Sequence, residues 1–171
     1  MATETPTSSG PYTEKFSAYF DREVSRKAAH SLNDGAEMEF HVVDFDEQGN
    51  PLPKPIEVFT FTKQNKHNKV LFGPAASPQL KFQITPRAAE VILADTSEEV
   101  GQIGVNILKL VVSPLKEQRV KVEFKAGFLT LFTKGYLGIV TAGGSSFSTF
   151  LASRGLNGMG AIKAALKKMK G

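Results

Sequence analysis

Asp44 and Asp46, followed by Gln48 and Gly49, open a stretch the way a calcium-binding loop opens. Such a loop needs a bidentate acid at its twelfth position, where Pro55 stands instead. Without that ligand the charge is too low for the ion, and a hairpin turn over 46–50 accounts for the same residues. Ser113 and Lys116 have the spacing of a lysine-activated serine nucleophile. Pro114 between them prevents the regular helix that would present both, and the companion Ser-Asp-Asn and Lys-Thr-Gly elements are missing from the chain. Gly143-Gly144-Ser145-Ser146 precedes a helical pattern whose free N–H groups suit an anion. It lacks the lysine of a phosphate loop and the third glycine of a dinucleotide turn, so it reads as a flexible corner. His30, His41 and His67 have no metal-ligand spacing, and each reads as solvated, His41 on the outward face of a strand. Asp95, Glu98 and Glu99 gather at a helix start, where the helix dipole stabilises them. No carboxylate pair reads as a tuned acid–base couple. The expectation is a protein that is not an enzyme and holds no metal and no cofactor.

The composition leads the same way. The chain has 171 residues, no Cys, and 13 Phe against 3 Tyr and no Trp. That length supports one domain with a core of its own, without disulfides or metal sites. Phe fills volume without needing a hydrogen-bond partner, so its excess points to a broad apolar interior. The start, MATETPTSSGPY, has neither the basic nor the apolar region of a signal peptide, and no stretch reaches the ~20 apolar residues of a membrane span. A cytoplasmic protein is expected. Residues 1–11 read as a disordered tail, and 12–171 as a single domain.

From Tyr12 a helical pattern places Phe16, Phe20, Val24, Ala28 and Leu32 on one face as far as Asn33-Asp34-Gly35. The period then changes to two. Met38, Phe40 and Val42 form a half-buried strand, Ile56–Thr62 a second, Val70–Phe72 a short third, and Leu80, Phe82 and Ile84 a fourth, with Lys63–Lys69 a polar loop. Thr85-Pro86 starts a helix running to about Ala94. Thr96-Ser97-Glu98-Glu99 predicts a capping box, and behind it Val100, Ile103, Gly104, Ile107, Leu108 and Val111 share a face up to Ser113-Pro114. Val120, Val122 and Phe124 alternate as a fifth strand. Gly127–Thr141 fits a helix through Phe128, Leu131, Phe132, Tyr136 and Ile139, or a strand through Leu129, Leu131 and Thr133; the four-residue spacing of Phe132 and Tyr136 favours the helix. Further helices carry Phe147, Phe150 and Leu151, then Met159, Ile162, Leu166 and Met169. Strands in a run rather than alternating with helices predict an α+β domain, with a largely antiparallel five-stranded sheet covered by helices on one face.

What remains is apolar: helices with broad apolar faces between Leu80 and Leu151, with paired glycines Gly101/Gly104 and Gly135/Gly138. Small residues there create space or allow close approach. A densely packed core and a lipid-sized space are both open at this point. The run from Leu80 to Leu93, an alternating strand into a helix beginning at Thr, is followed by the helix 100–112, the strand 120–124 and the helix 146–154. In this order the chain resembles the sterol-carrier-protein-2-like family over residues 12–155. It departs from the family in the inserted stretch 128–144 and in a basic tail helix. The resemblance implies a sheet covered by helices around a tunnel for fatty acyl chains, acyl-CoA or sterols, and a lipid carrier rather than a catalyst. The residues expected to line the tunnel are Phe82, Ile84, Leu93, Ile103, Ile107, Leu108, Phe128, Phe132, Tyr136, Phe147, Phe150 and Leu151.

The tail, about 157–170, carries Lys163, Lys167, Lys168 and Lys170 opposite its apolar stripe. Such a helix can dock on an anionic membrane, each Lys near the surface contributing about 1 kcal/mol; a terminal helix packed by its apolar face with its lysines in water is the favoured reading. With no arginine cluster or aromatic platform, nucleic acid is not an expected partner. The expected function is non-catalytic binding of an apolar small molecule or lipid. The alternative is a protein–protein or homo-oligomer interface on the same helical faces.

Overall fold

The computed structural model describes residues 10–153, apart from the side chains of Phe128, Leu137, Val140, residues 145–148 and Leu151. The tail helix expected over 157–170, with Lys163, Lys167, Lys168 and Lys170, and all but the end of the expected N-terminal tail lie outside the described residues.

The first helical pattern forms two helices, α1 (Pro11–Phe20) and α2 (Glu23–Ala28). The break falls at Asp21-Arg22, inside an unbroken apolar periodicity. Arg22 is extended (ψ 148°), and its guanidinium donates to Asp95 O and Ser97 O, both at 2.8 Å, and lies 5.5 Å from the centre of the Tyr19 ring. A contact from another part of the chain thus turns the helix where local propensity would continue it.

The strands are β1 (Glu37–Val42), β2 (Glu57–Gln64), β3 (His67–Phe72), β4 (Leu80–Ile84) and β5 (Val120–Phe124), in the order β3-β2-β1-β4-β5. The sheet is mostly antiparallel, as expected, but mixed: β1 and β4 run parallel. The parallel pair follows from the connection 73–79, which leaves the border strand β3 and passes β2 and β1 to start β4 on the far side. Glu37 and Glu39, on the polar face of β1, hold this crossover. Glu39 Oε1 accepts from Ala75 N, and Glu37 Oε2 from Ser77 N, each at 2.9 Å. The polar run after β2 is no loop. Asn65 and Lys66 both have positive φ (50° and 64°) and form a two-residue turn that carries β2 directly into β3. The hairpin at 46–50 is an Asx turn: Asp46 Oδ1 accepts from the amides of Gln48 and Asn50 at 2.9 Å. Its carboxylate is therefore turned into its own loop.

The helices after β4 are α3 (Pro86–Ala94), α4 (Val100–Val111), α5 (Phe128–Thr133), α6 (Leu137–Ala142) and α7 (Gly144–Ser153). Thr85 caps α3 as expected, its Oγ1 accepting from Ala88 N at 3.3 Å. The expected capping box at 96–99 does not form. Glu99 is the N-cap residue of α4 without a side-chain cap, and Ser97 N donates to Asp95 Oδ1 at 2.9 Å instead. The ambiguous stretch 127–141 is helical, in two pieces. Gly135 (φ 87°) makes the break and lets the backbone meet Ser31 where any side chain would collide. Ser31 Oγ donates to Gly135 O at 2.9 Å across that contact.

One face of the sheet is apolar across the strands. In register, Phe72, Phe59, Phe40, Phe82 and Val122 form one row, and Val70, Phe61, Met38, Leu80 and Phe124 the next. The helices bring Phe16, Tyr19, Ala88, Ala89, Ile92, Leu110, Leu131 and Tyr136 into the same core.

Candidate functional site

The apolar face is closed unevenly. Over β1 and β2, α1 lays Phe16 on Phe59 with ring centres 4.9 Å apart, and Phe59 stacks on Phe40 at 5.0 Å and 7°. Phe20 meets Phe61 at 4.8 Å. Phe16, Phe59 and Phe61 are 0–1% exposed. Here the phenylalanines fill the interior themselves.

Over β4 and β5 the same face is less complete. Phe82 stacks on Phe40 at 4.8 Å and 8°, yet it stays half-buried. Its neighbours in the sheet, Val122 and Phe124, are half-buried too, as are Ile107 and Val111 of α4 and Ile139 of α6. These residues pack on the core without being sealed by it. α4 is apolar nearly all round: Ile103, Val105 and Leu110 are buried, and Ile107, Leu108 and Val111 half-buried. A helix of this kind packs on two sides, and α4 meets β5 on one and α7 on the other.

The residues expected to line a tunnel therefore separate. Phe82, Ile107 and Leu108 are half-buried around β4 and α4, and Ile103 is buried in α4. Ile84 (2% exposed) is filled core beneath them. Leu93 lies apart, half-buried at a surface groove of about 600 Å³ with Arg22, Lys27 and Asp95. Tyr136 is buried as an anchor. Its hydroxyl sits 2.8 Å from Gln79 Oε1 and 3.2 Å from Glu37 O, and burial pushes its pKa well up. Phe132 does not face the interior: it is 59% exposed, because α5 buries Leu131 (3% exposed) and the next side chain lies 100° around the helix. Phe150 is half-buried in α7, and the side chains of Phe128, Phe147 and Leu151 lie outside the described ones. Val111, Val122 and Phe124 join the site without having been singled out. The alternation of β5 marks Val122 and Phe124 as inward, but nothing in the sequence sets α4 beside them.

His41, Ser113 and Asp95 are engaged in structure, whereas the Tyr19 hydroxyl and Gln83 Oε1 are buried without a hydrogen-bond partner among the described residues. His41, expected in solvent, is partly buried, with Nε2 2.8 Å from Glu39 Oε2. Ser113 Oγ accepts from Leu115 N at 3.2 Å just beyond α4. Asp95 Oδ2 accepts from Asn106 Nδ2 at 2.9 Å. Among the described residues no group of three or more His, Asp or Glu is placed to hold a metal ion, and no helix is long and apolar enough to cross a membrane. No protein-family model, curated protein or solved structure matches the chain.

Proposed function

We propose that the chain binds an apolar molecule, an acyl chain or sterol-like lipid, between the β4–β5 half of the sheet and α4, as a carrier rather than a catalyst. One observation carries this reading. Phe82, Val122, Phe124, Ile107 and Val111 pack on the core and remain half-buried, while Phe16, Phe40, Phe59 and Phe61 on the other half are buried. Covering such residues with a ligand removes apolar area from water at ~25 cal/mol per Å². The order of elements supports the likeness to sterol-carrier-protein-2-like domains. A helix precedes the run of strands, a strand enters a helix at Thr85, and a last strand and further helices follow.

A carrier must reach a membrane. Leu129 (74% exposed) and Phe132 (59%) lie three residues apart on α5, flanked in sequence by Lys125 and Lys134. Such exposed apolar side chains next to lysines suit an anionic surface. A cytoplasmic carrier that docks reversibly fits a chain without cysteine.

Titration with a fluorescent fatty acid tests the reading. Saturable binding is expected, weakened by Phe82→Asp or Ile107→Asp in variants that still unfold cooperatively, and unchanged by Phe132→Asp. Absence of saturable binding, together with no lipid in organic extracts of the purified protein, would rule it out.

A further inference from the structure

β3 is a border strand, and its free edge has a definite pattern. The two-residue turn at Asn65-Lys66 makes Gln64 and His67 the closing hydrogen-bonded pair, and such pairs alternate from there. His67, Lys69 and Leu71 therefore bond to β2. The bond from Gly73 N to Val58 O, 2.8 Å, continues the alternation. The N–H and C=O groups of Asn68, Val70 and Phe72 point away from the sheet, and no described residue hydrogen-bonds to them outside it. The side chains along this edge are open as well: Leu71 is 48% and Phe72 50% exposed. On the helix side, Ser17 and Ala18 of α1, between the acidic Glu14 and Asp21, border a groove of about 420 Å³ that Phe20, Asn68 and Val70 also line. Border strands are commonly guarded by charge. Here Lys66, His67 and Lys69 guard the hairpin end only, and Val70-Leu71-Phe72 is apolar.

We propose that a second copy of this chain pairs on this edge, β3 against β3 and antiparallel, about a two-fold axis at Val70. In that register Val70 faces Val70 of the second copy, Asn68 faces Phe72, and Lys69 faces Leu71. All the outward backbone groups of Asn68, Val70 and Phe72 are then satisfied on both copies, as a self-complementary two-fold interface requires. The stem of Lys69 lies along Leu71 while its ammonium stays in water. Neighbouring registers are worse. A shift toward the hairpin sets Lys69 directly against Lys69, and a shift the other way sets Asn68 against Pro74, which has no N–H to give. This surface is separate from the helical faces and from the proposed lipid site.

Sedimentation equilibrium of the full chain tests the pairing, with a reversible monomer–dimer equilibrium expected. Leu71→Lys puts lysine opposite Lys69 twice per dimer and should weaken association about tenfold. Leu71→Glu puts opposite charges in the same places and should keep or tighten it. Because Leu71 is about half exposed, both variants should unfold at nearly the wild-type temperature, and a thermal melt checks that. A monomer at every concentration overturns the proposal. So does equal loss with both substitutions, and so does association that ignores Leu71 but disappears with Phe132→Asp, which would place it on the helices.

Discussion

The two halves of the apolar sheet face are built from the same kind of residue and closed differently. Over β1 and β2, ring meets ring: Phe16 stacks on Phe59, Phe59 on Phe40, and Phe20 meets Phe61 at a 49° tilt. Over β4 and β5, Phe82 has a ring on one side, Phe40, and the aliphatic Val122 opposite it in the sheet. The difference lies in the cover. α1 contributes aromatic rings that meet a row of rings, stacked at Phe59 and tilted at Phe61, contacts that aromatic pairs favour. α4 contributes branched aliphatic side chains from a helix that must also satisfy α7, so it cannot fit both neighbours equally well. Phenylalanine content therefore does not decide whether an interior is filled; what is laid over the phenylalanines does.

The largest expected effect breaks or upholds that contrast. Phe59→Ala removes a fully buried ring with stacking partners on two sides, and should destabilise the fold by about 3–5 kcal/mol in urea titration. Phe82→Ala, in the same row of the sheet, starts from a half-buried ring and should cost clearly less, about 1–2 kcal/mol. Equal losses would mean that the second half is as tightly sealed as the first.

Much of this arrangement is legible in the sequence wherever it is local. The alternation at 38–42, 80–84 and 120–124 gives the strands and their inward residues, and Thr85-Pro86 gives the start of α3. What is not legible comes from contacts distant in sequence. The apolar repeat from Phe16 to Ala28 runs straight through Asp21-Arg22, where the helix breaks as Arg22 reaches Asp95 and Ser97 and Ser25 Oγ donates to Tyr19 O at 2.7 Å. Asn65-Lys66 is a poor turn by composition, since lysine seldom takes positive φ, so a continuous hairpin reads as two strands and a loop. A run of strands gives no sign that β4 lies beside β1 rather than β3. For the candidate site, Phe82 and Ile107 are readable as inward. Phe132 is not readable as outward, because both it and Leu131 fit an apolar face until the start of α5 is fixed.

A second, smaller effect sharpens the picture of the closed half. α1 has ten residues, too few to be stable alone, and no side-chain cap of its own. Its N-terminus is held by Glu57 of β2, a buried carboxylate that accepts from Thr13 N at 2.5 Å, Thr13 Oγ1 at 2.7 Å and Tyr12 N at 3.4 Å. A side chain on Gly10 would run into that carboxylate. Glu57→Gln turns an amide N–H₂ toward donors and removes the charge that the helix dipole favours, so a loss of about 1–3 kcal/mol is expected. Hydrogen exchange should speed up in α1 and leave α4 unchanged. Faster exchange in both helices would mean that the halves do not behave as separate units.

The smallest effect lies at the joint between the halves, where the elbow after α1 meets the turn between α3 and α4. Burial on its own would raise the Asp95 carboxyl. Hydrogen bonds from Asn106 and Ser97 and the charge of Arg22 outweigh it and hold the group below its ordinary 3.8. A carboxyl depressed on folding binds fewer protons in the folded chain than in the unfolded one. Its contribution is therefore fully present above 3.8 and is lost as pH falls through the lower folded-state value. Asp95→Asn removes that dependence, so the stability gap between wild type and variant should be constant at neutral pH and shrink below about pH 4. The group is partly exposed, so the change is modest, and paired urea titrations across that range are needed to resolve it. A gap that does not change with pH would show that Arg22 holds the turn through the two carbonyls alone. The joint would then be a matter of backbone hydrogen bonds, and acid would loosen α4 no more than it loosens α1.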